Sequence, residues 1–138
     1  MRIRVYFEDT DCGQIVYHTS YIRYCERARS ELFFTRNILP CEDNCGFVLS
    51  TMNAKFHNTA VLGDVLEVRT KLLKSRKTTI LLDQKIFKVA TAKPSRQGSQ
   101  SNQEILIFSM EVLLAFVDVK LQKPRKIPQA FLDILQNL

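Results

Sequence analysis

The chain has 138 residues, 46% hydrophobic and 25% charged, with only 4 Gly and 4 Pro. This excludes collagen-like, low-complexity and disordered classes, and the length suits one domain, 1–138, with a core that needs no disulfide staple. A formal net charge of +6 favours anionic partners such as phosphates, an acidic protein or nucleic acid, although excess lysine also simply solvates a surface. No apolar run reaches the roughly 18 residues of a membrane span. The start, "MRIRVYFEDT", alternates like a strand and lacks a signal-peptide core, so a cytoplasmic location is expected.

In chain order, Ile3, Val5 and Phe7 share one face of a strand predicted over 2–8. Next, Ile22, Cys25, Ala28, Arg29, Leu32, Phe33 and Arg36 recur at helical spacing, which predicts a helix over 20–37. Thr19 or Ser20 is a candidate cap, and Pro40 stops the element. "ILPCEDNCG" reads as a linker. Four β-rich runs follow: "FVLSTMNAKFH", "DVLEVRTKLLKS", "KTTILLDQKIFKVA" and "EILIFSMEVLLAFVDV". The polar stretch "AKPSRQGSQSNQ" is expected to be a hairpin tip and "IPQAFLDILQNL" a short closing helix.

One strand, one long helix and four strands predict an α+β domain. In it a curved antiparallel sheet of five strands, joined as a meander, wraps a single helix. Strands apolar on both faces suggest a dimer or larger assembly. Cys12, Cys25, Cys41 and Cys45 are scattered; the Cys41–Cys45 pair has no two further ligands at zinc-site spacing, and reduced thiols are expected. Neither metal nor cofactor is expected.

The chemistry concentrates in "DTDCGQIVYH", residues 9–18, between the first strand and the helix. A helix start leaves N–H groups unpaired and carries partial positive charge, so it can receive a developing oxyanion. A carboxylate beside it can activate water or attack an acyl carbon directly. No strong general acid is evident, which suits a thiol leaving group, of pKa about 8.5 in a cysteine-like case, better than an amine. Residue chemistry alone favours an Asx-turn at Asp9 or Asp11, with Gly13 supplying an unusual backbone angle. A Ser20–His18 triad is weaker, because no G-x-S-x-G elbow is present.

The stretch "RVYFEDTDCGQIVYHTSYIRYCERARSELF" resembles the opening of the YbgC-type acyl-CoA thioesterases, relatives of 4-hydroxybenzoyl-CoA thioesterase with the hot-dog fold. "NAKFHNTAVLGDVLEV", "LLDQKIF" and "AFVDVKLQKPRKIP" continue the resemblance in order, over most of the chain. The resemblance implies that Asp11 is the catalytic carboxylate and that His18 offers its backbone N–H to the thioester carbonyl, its side chain positioning substrate or water. It makes Tyr6 a lesser candidate for substrate binding. Thr59, where relatives often carry Pro, would line the acyl pocket across a dimer interface. It also implies sites between two subunits of a homodimer or tetramer. The basic clusters "KSRKTT" (74–79) and "QKPRK" (122–126) would then be candidates for CoA phosphates or an acidic acyl carrier protein.

The function expected is hydrolysis of acyl-CoA thioesters to free acid and CoA. Two other enzyme readings are a thioesterase associated with an acyl carrier protein and a hot-dog dehydratase, which would want a histidine paired with an acidic residue. A non-enzymatic module that docks an acidic partner is the remaining alternative. Nucleic acid is not an expected partner, because no binding signature interleaves aromatics with the basic clusters.

Overall fold

The computed structural model describes residues 1–92 and 103–138. Its elements are β1 (Arg2–Arg4), a 3-10 turn (Phe7–Asp9), α1 (His18–Phe34), β2 (Cys41–Glu42), β3 (Cys45–Phe56), β4 (Val65–Ser75), β5 (Thr79–Ala90), β6 (Ile105–Asp118), β7 (Lys123–Pro124) and α2 (Gln129–Gln136). All strands pair antiparallel in one sheet of order β1-β4-β5-β6-β3-β2, with β7 on β6. The five expected strands are β1, β3, β4, β5 and β6; β2 and β7 add two residues each at the far end.

Three expectations change in detail. The first strand ends at Arg4, not residue 8, because the 3-10 turn folds back so that the Asp9 carboxylate accepts the Tyr6 N–H at 3.0 Å. The meander holds for β4, β5 and β6, but β3 lies beside β6. The connection 57–64 therefore carries the chain from β3 across to β4 and past the helix start. The helix begins two residues early and ends three early, at Phe34; Asn37 then takes a left-handed φ of 57° that turns the chain. The expected hairpin tip, residues 92–103, lies outside the described residues over 93–102.

α1 packs on the inner face of the curved sheet. Its buried residues are Ser20, Tyr21, Tyr24, Cys25, Ala28 and Phe33. They meet Leu66 and Val68 of β4, alternate residues Ile80, Leu82 and Ile86 of β5, and Phe108, Met110, Val112, Leu114 and Phe116 of β6. Tyr21 stacks on Phe108 with ring centroids 5.4 Å apart. At the other end Phe131 of α2 meets Phe33 and Phe116 edge-on, at 5.3 and 5.8 Å, and so closes the end of the half-barrel. Each such ring buries enough apolar area to contribute about 2 kcal/mol. Among the described residues no helix is long and apolar enough to cross a membrane.

Candidate active site

The segment between the 3-10 turn and α1 is a small hairpin of its own. Thr10 bridges Val16, and the Asp11 N–H donates to the Ile15 carbonyl at 2.9 Å. Gln14, not Gly13, takes the left-handed backbone at φ 62°. The Asp11 carboxylate closes an Asx-turn: its Oδ1 accepts the Gly13 N–H at 2.8 Å. The turn and catalytic readings are therefore compatible, since one carboxylate oxygen is fixed by the turn and the residue remains exposed. A Cβ at residue 13 would lie 3.2 Å from that Oδ1, so the glycine leaves room for the carboxylate to lie over its own turn.

The hairpin is tied on both sides. The Val16 N–H donates to the Ala60 carbonyl at 2.9 Å, and Ile15 bridges Val61, which brings the 57–64 connection against the helix entry. Asp9 anchors the other side. It is buried, and its carboxylate accepts the Tyr6 N–H at 3.0 Å and Arg23 Nη2 at 2.9 Å. Its carbonyl accepts the Tyr17 N–H at 2.8 Å and Ser20 Oγ–H at 3.2 Å. Both the strand side and the first turn of α1 are thus fastened to this one residue. Burial, and then the Asp9 charge, push the neighbouring Tyr24 hydroxyl far above its ordinary pKa, so it stays protonated.

The helix start is bare. Tyr17 is the N-cap residue and supplies no side-chain cap, and neither expected cap serves: the Ser20 hydroxyl turns instead to Asp9. Ser20 N–H reaches the Tyr17 carbonyl, whereas the N–H groups of His18 and Thr19 have no hydrogen-bond partner among the described residues. Such a terminus presents donors and partial positive charge to whatever lies in front of it. The His18 ring is exposed and lies against Tyr17, centroids 4.3 Å apart.

The sequence-predicted residues converge unevenly. Asp11 and His18 stand at the two ends of the same hairpin. Tyr6 is 62% exposed and reaches this region through its N–H bond to Asp9. Thr59 is exposed beside Ala60, whose carbonyl holds Val16, so it flanks the helix entry within one protomer. The two basic clusters come together, because the Ile127 N–H donates to the Lys77 carbonyl at 2.9 Å. They sit at the opposite end of the sheet, however. The ten steps of β4 alone separate the ends by roughly 33 Å at 3.3 Å per residue, so a protomer does not bring its own basic clusters beside its own Asp11.

A cavity of about 660 Å³ runs along α1, between the helix and strands β3, β5 and β6. It begins at Thr19, in the first helical turn, and continues past Ile22 to Phe33. Leu49, on the exposed edge of β3, lines its rim, and Leu82 and Leu114 lie within it. Besides Arg23 and Glu26 the cavity holds Arg29, which sequence reasoning placed on the mostly apolar helix face without finding its partner. Its Nη1 donates to Oε1 of fully buried Gln84 at 2.8 Å. Sequence reasoning also missed the anchoring role of Asp9. The signal available was Arg23, a basic residue one turn into the helix and on the side of the helix entry.

Comparison with known proteins agrees with this architecture. The sequence model of the Thioesterase-like superfamily matches residues 5–135. The acyl-CoA thioesterase YbgC of Helicobacter pylori (strain ATCC 700392 / 26695) is 39% identical over 138 residues, covering 100% of both chains. The acyl-CoA thioester hydrolase YbgC of Escherichia coli O6:H1 is 33% identical over 132 residues, covering 93% of this chain and 88% of its own. Among solved structures, the 4-hydroxybenzoyl CoA thioesterase from Pseudomonas sp. strain CBS-3 superposes with a TM-score of 0.79 at 20% identity, covering 97% of this chain and 96% of that one; at that identity the likeness speaks for the hot-dog fold alone. With full-length identity of this order to the YbgC proteins, the chain belongs to the thioesterase-like superfamily, in its YbgC acyl-CoA thioesterase branch.

Proposed function

We propose that this acyl-CoA thioesterase cleaves its substrate between Asp11 and the bare start of α1. The observation that carries the reading is the pairing of an exposed, turn-fixed carboxylate with the unpartnered N–H groups of His18 and Thr19 at the two ends of one hairpin. With the thioester carbonyl directed at the His18 N–H, the oxyanion that forms on attack gains donors already in place. In the general-base route Asp11 accepts a proton from water as its oxygen bonds to the acyl carbon. Collapse breaks the C–S bond, and the proton passes from Asp11 to the departing thiolate, giving free acid and CoA. In the nucleophilic route Asp11 itself bonds to the acyl carbon, the C–S bond breaks and CoA leaves as the thiolate; water then attacks the aspartyl carbon of the anhydride, releasing the free acid and giving up its proton to the thiolate. The His18 ring and the Tyr6 side chain flank the approach and position substrate.

The working unit in this reading is a homodimer, or a tetramer built from it. Among the described residues β3 pairs with β2 only at Cys45 and Gly46, which leaves its outer edge open over 47–56. That edge carries exposed Val48, Leu49, Met52 and Phe56, an apolar strand edge that calls for cover. A two-fold antiparallel pairing of β3 with a second copy covers it. It also reverses the partner's direction, bringing the partner's basic end to the end that carries Asp11, where CoA phosphates would need it. Thr59 would then face the acyl group from the subunit boundary. The four free cysteines fit a reducing compartment, and we place the enzyme in the cytoplasm, with carrier-protein thioesters as a second possible substrate form.

The test is thiol release from a panel of acyl-CoA esters by the wild type and Asp11→Asn. Loss of the carboxylate should lower kcat by at least about 100-fold without altering the melting temperature; an Asn variant with full activity removes Asp11 from the mechanism. Single turnover in ¹⁸O-water separates the routes, since only the nucleophilic one labels the protein.

A further inference from the structure

Arg29 is half-buried on a helix face directed at a largely apolar cavity. A guanidinium in such surroundings costs free energy unless it is paired, and burial accordingly pushes its proton affinity down. Among the described residues its one hydrogen bond goes to a neutral amide, Gln84 Oε1, and it makes no ion pair. The other charged residues of the cavity are committed elsewhere: Arg23 to Asp9 at 2.9 Å, and Glu26 to the Ser30 hydroxyl at 2.7 Å. Gln84 is locked as well, its amide donating to the Cys25 carbonyl and to Thr70 Oγ1, both at 3.0 Å. This network holds the guanidinium still, and the Glu26 charge on the same helix favours it from a distance, without an ion pair. A polar bridge between helix and sheet needs no charge; an anion receptor does.

We propose that Arg29 receives the far end of the acyl group, and that the cavity selects acyl chains ending in a carboxylate over chains ending in methyl. The proposal rests on the reading that the thioester carbonyl sits at the His18 N–H, and it adds the class of acyl group. From His18 to Arg29 the helix rises roughly 16 Å at 1.5 Å per residue. The arginine side chain leans back toward the helix start, which shortens the span to about 10 Å. An extended chain covers that distance with roughly eight carbons at about 1.3 Å each, given ordinary C–C bonds. The preferred substrates are therefore mono-CoA thioesters of straight-chain α,ω-dicarboxylic acids of medium length.

The experiment compares kcat/KM for suberyl-type (carboxyl-ended) and octanoyl-type (methyl-ended) CoA esters of equal carbon number. The wild type should favour the carboxyl-ended ester. Arg29→Met should lower the ratio by about 10- to 100-fold, the equivalent of one charge-assisted hydrogen bond, and Arg29→Lys should restore part of it. A wild-type ratio at or below one overturns the proposal even if Arg29→Met does not fold; so does a ratio that Arg29→Met leaves unchanged. Dissociation of the oligomer in Arg29→Met with no change in the ratio would assign the guanidinium to holding the assembly and overturn it equally. Calorimetry with the corresponding non-hydrolysable thioethers keeps the two readings apart. If no thioester is turned over, the Asp11 mechanism fails, while tighter binding of the carboxyl-ended thioether still supports Arg29 and equal binding rejects it.

Discussion

Replacing Asp9 by Asn probes whether one buried side chain sets the geometry of the hairpin that carries Asp11. The Asp9 carboxylate is matched to two donors, the Tyr6 N–H at 3.0 Å and Arg23 Nη2 at 2.9 Å. An amide of the same shape has one oxygen and one NH₂ group, so whichever way it is turned, one donor confronts another. The loss is that of one charge-assisted hydrogen bond, about 1.5–3 kcal/mol. Arg23 is half exposed and the Asp9 side chain 5% exposed, so solvent screens the arginine half of the pair and the lower part of that range, about 2 kcal/mol, is expected. For a chain of this length that corresponds to a melting temperature lower by roughly 6–8 °C. Because the Asp9 backbone also holds Tyr17 and Ser20 at the helix start, kcat should fall by about tenfold or more, with a smaller change in KM. Circular-dichroism melting and thiol release from a short acyl-CoA ester measure the two effects. A variant that melts within a degree of the wild type and keeps its full kcat would refute the anchoring role.

Three further outcomes follow from the geometry. Met52→Asp places a charge on the open β3 edge, where Met52 is 43% exposed; light scattering should show a monomer, and activity should be lost along with the assembly, whereas an unchanged oligomer would move the interface elsewhere. In the native protein Ellman's reagent should titrate two thiols quickly, Cys12 and Cys41, which are exposed. Cys45 is buried, and Cys25 is both buried and pushed up to about 12 by that burial, so neither should react until the chain unfolds. Fast reaction of all four would contradict the packing of α1. The Asp118 carboxyl is held below the usual carboxylate range chiefly by the Leu121 N–H, against partial desolvation, with help from the Lys120 N–H and Arg125. A lowered folded-state pKa stabilises the fold above the unfolded value near 4 and is lost as pH falls through the folded value. Urea midpoints measured below about pH 5 should thus decline less steeply in Asp118→Asn than in the wild type, and parallel curves would reject the assignment.

Much of this architecture was legible in the sequence because its signals are local. Alternation in the four long runs marked β3 to β6, and helical spacing marked α1. What was not legible depends on contacts between distant residues. Tyr21 and Tyr24 are buried on α1 although their hydroxyls make them poor core candidates on pattern alone; one hydroxyl accepts the Ala60 N–H at 3.2 Å and the other lies under the influence of Asp9. β3 lies beside β6 rather than β4 because the 57–64 connection is long enough to cross the sheet. The first strand stops early because of Asp9, whose role depends on Arg23 fourteen residues later. At the site, the sequence motif placed Asp11 and His18 in one turn, and the Asx-turn hydrogen bond agrees with the bland reading without displacing the catalytic one. That the basic clusters lie at the opposite end of the sheet was not legible, because it depends on how the antiparallel strands align along their length.

The uncapped first turn of α1 also bears on engineering this enzyme. Tyr17→Asp or Tyr17→Ser would supply the missing cap and, by ordinary helix energetics, raise stability by about 1 kcal/mol. The same change would direct a side-chain oxygen at N–H groups that now stand open, and so occupy the receptor proposed for the reacting carbonyl. A thermostability screen scored on melting alone would select this substitution, and a screen scored on turnover would discard it. Robustness and reactivity compete here for the same few backbone hydrogens.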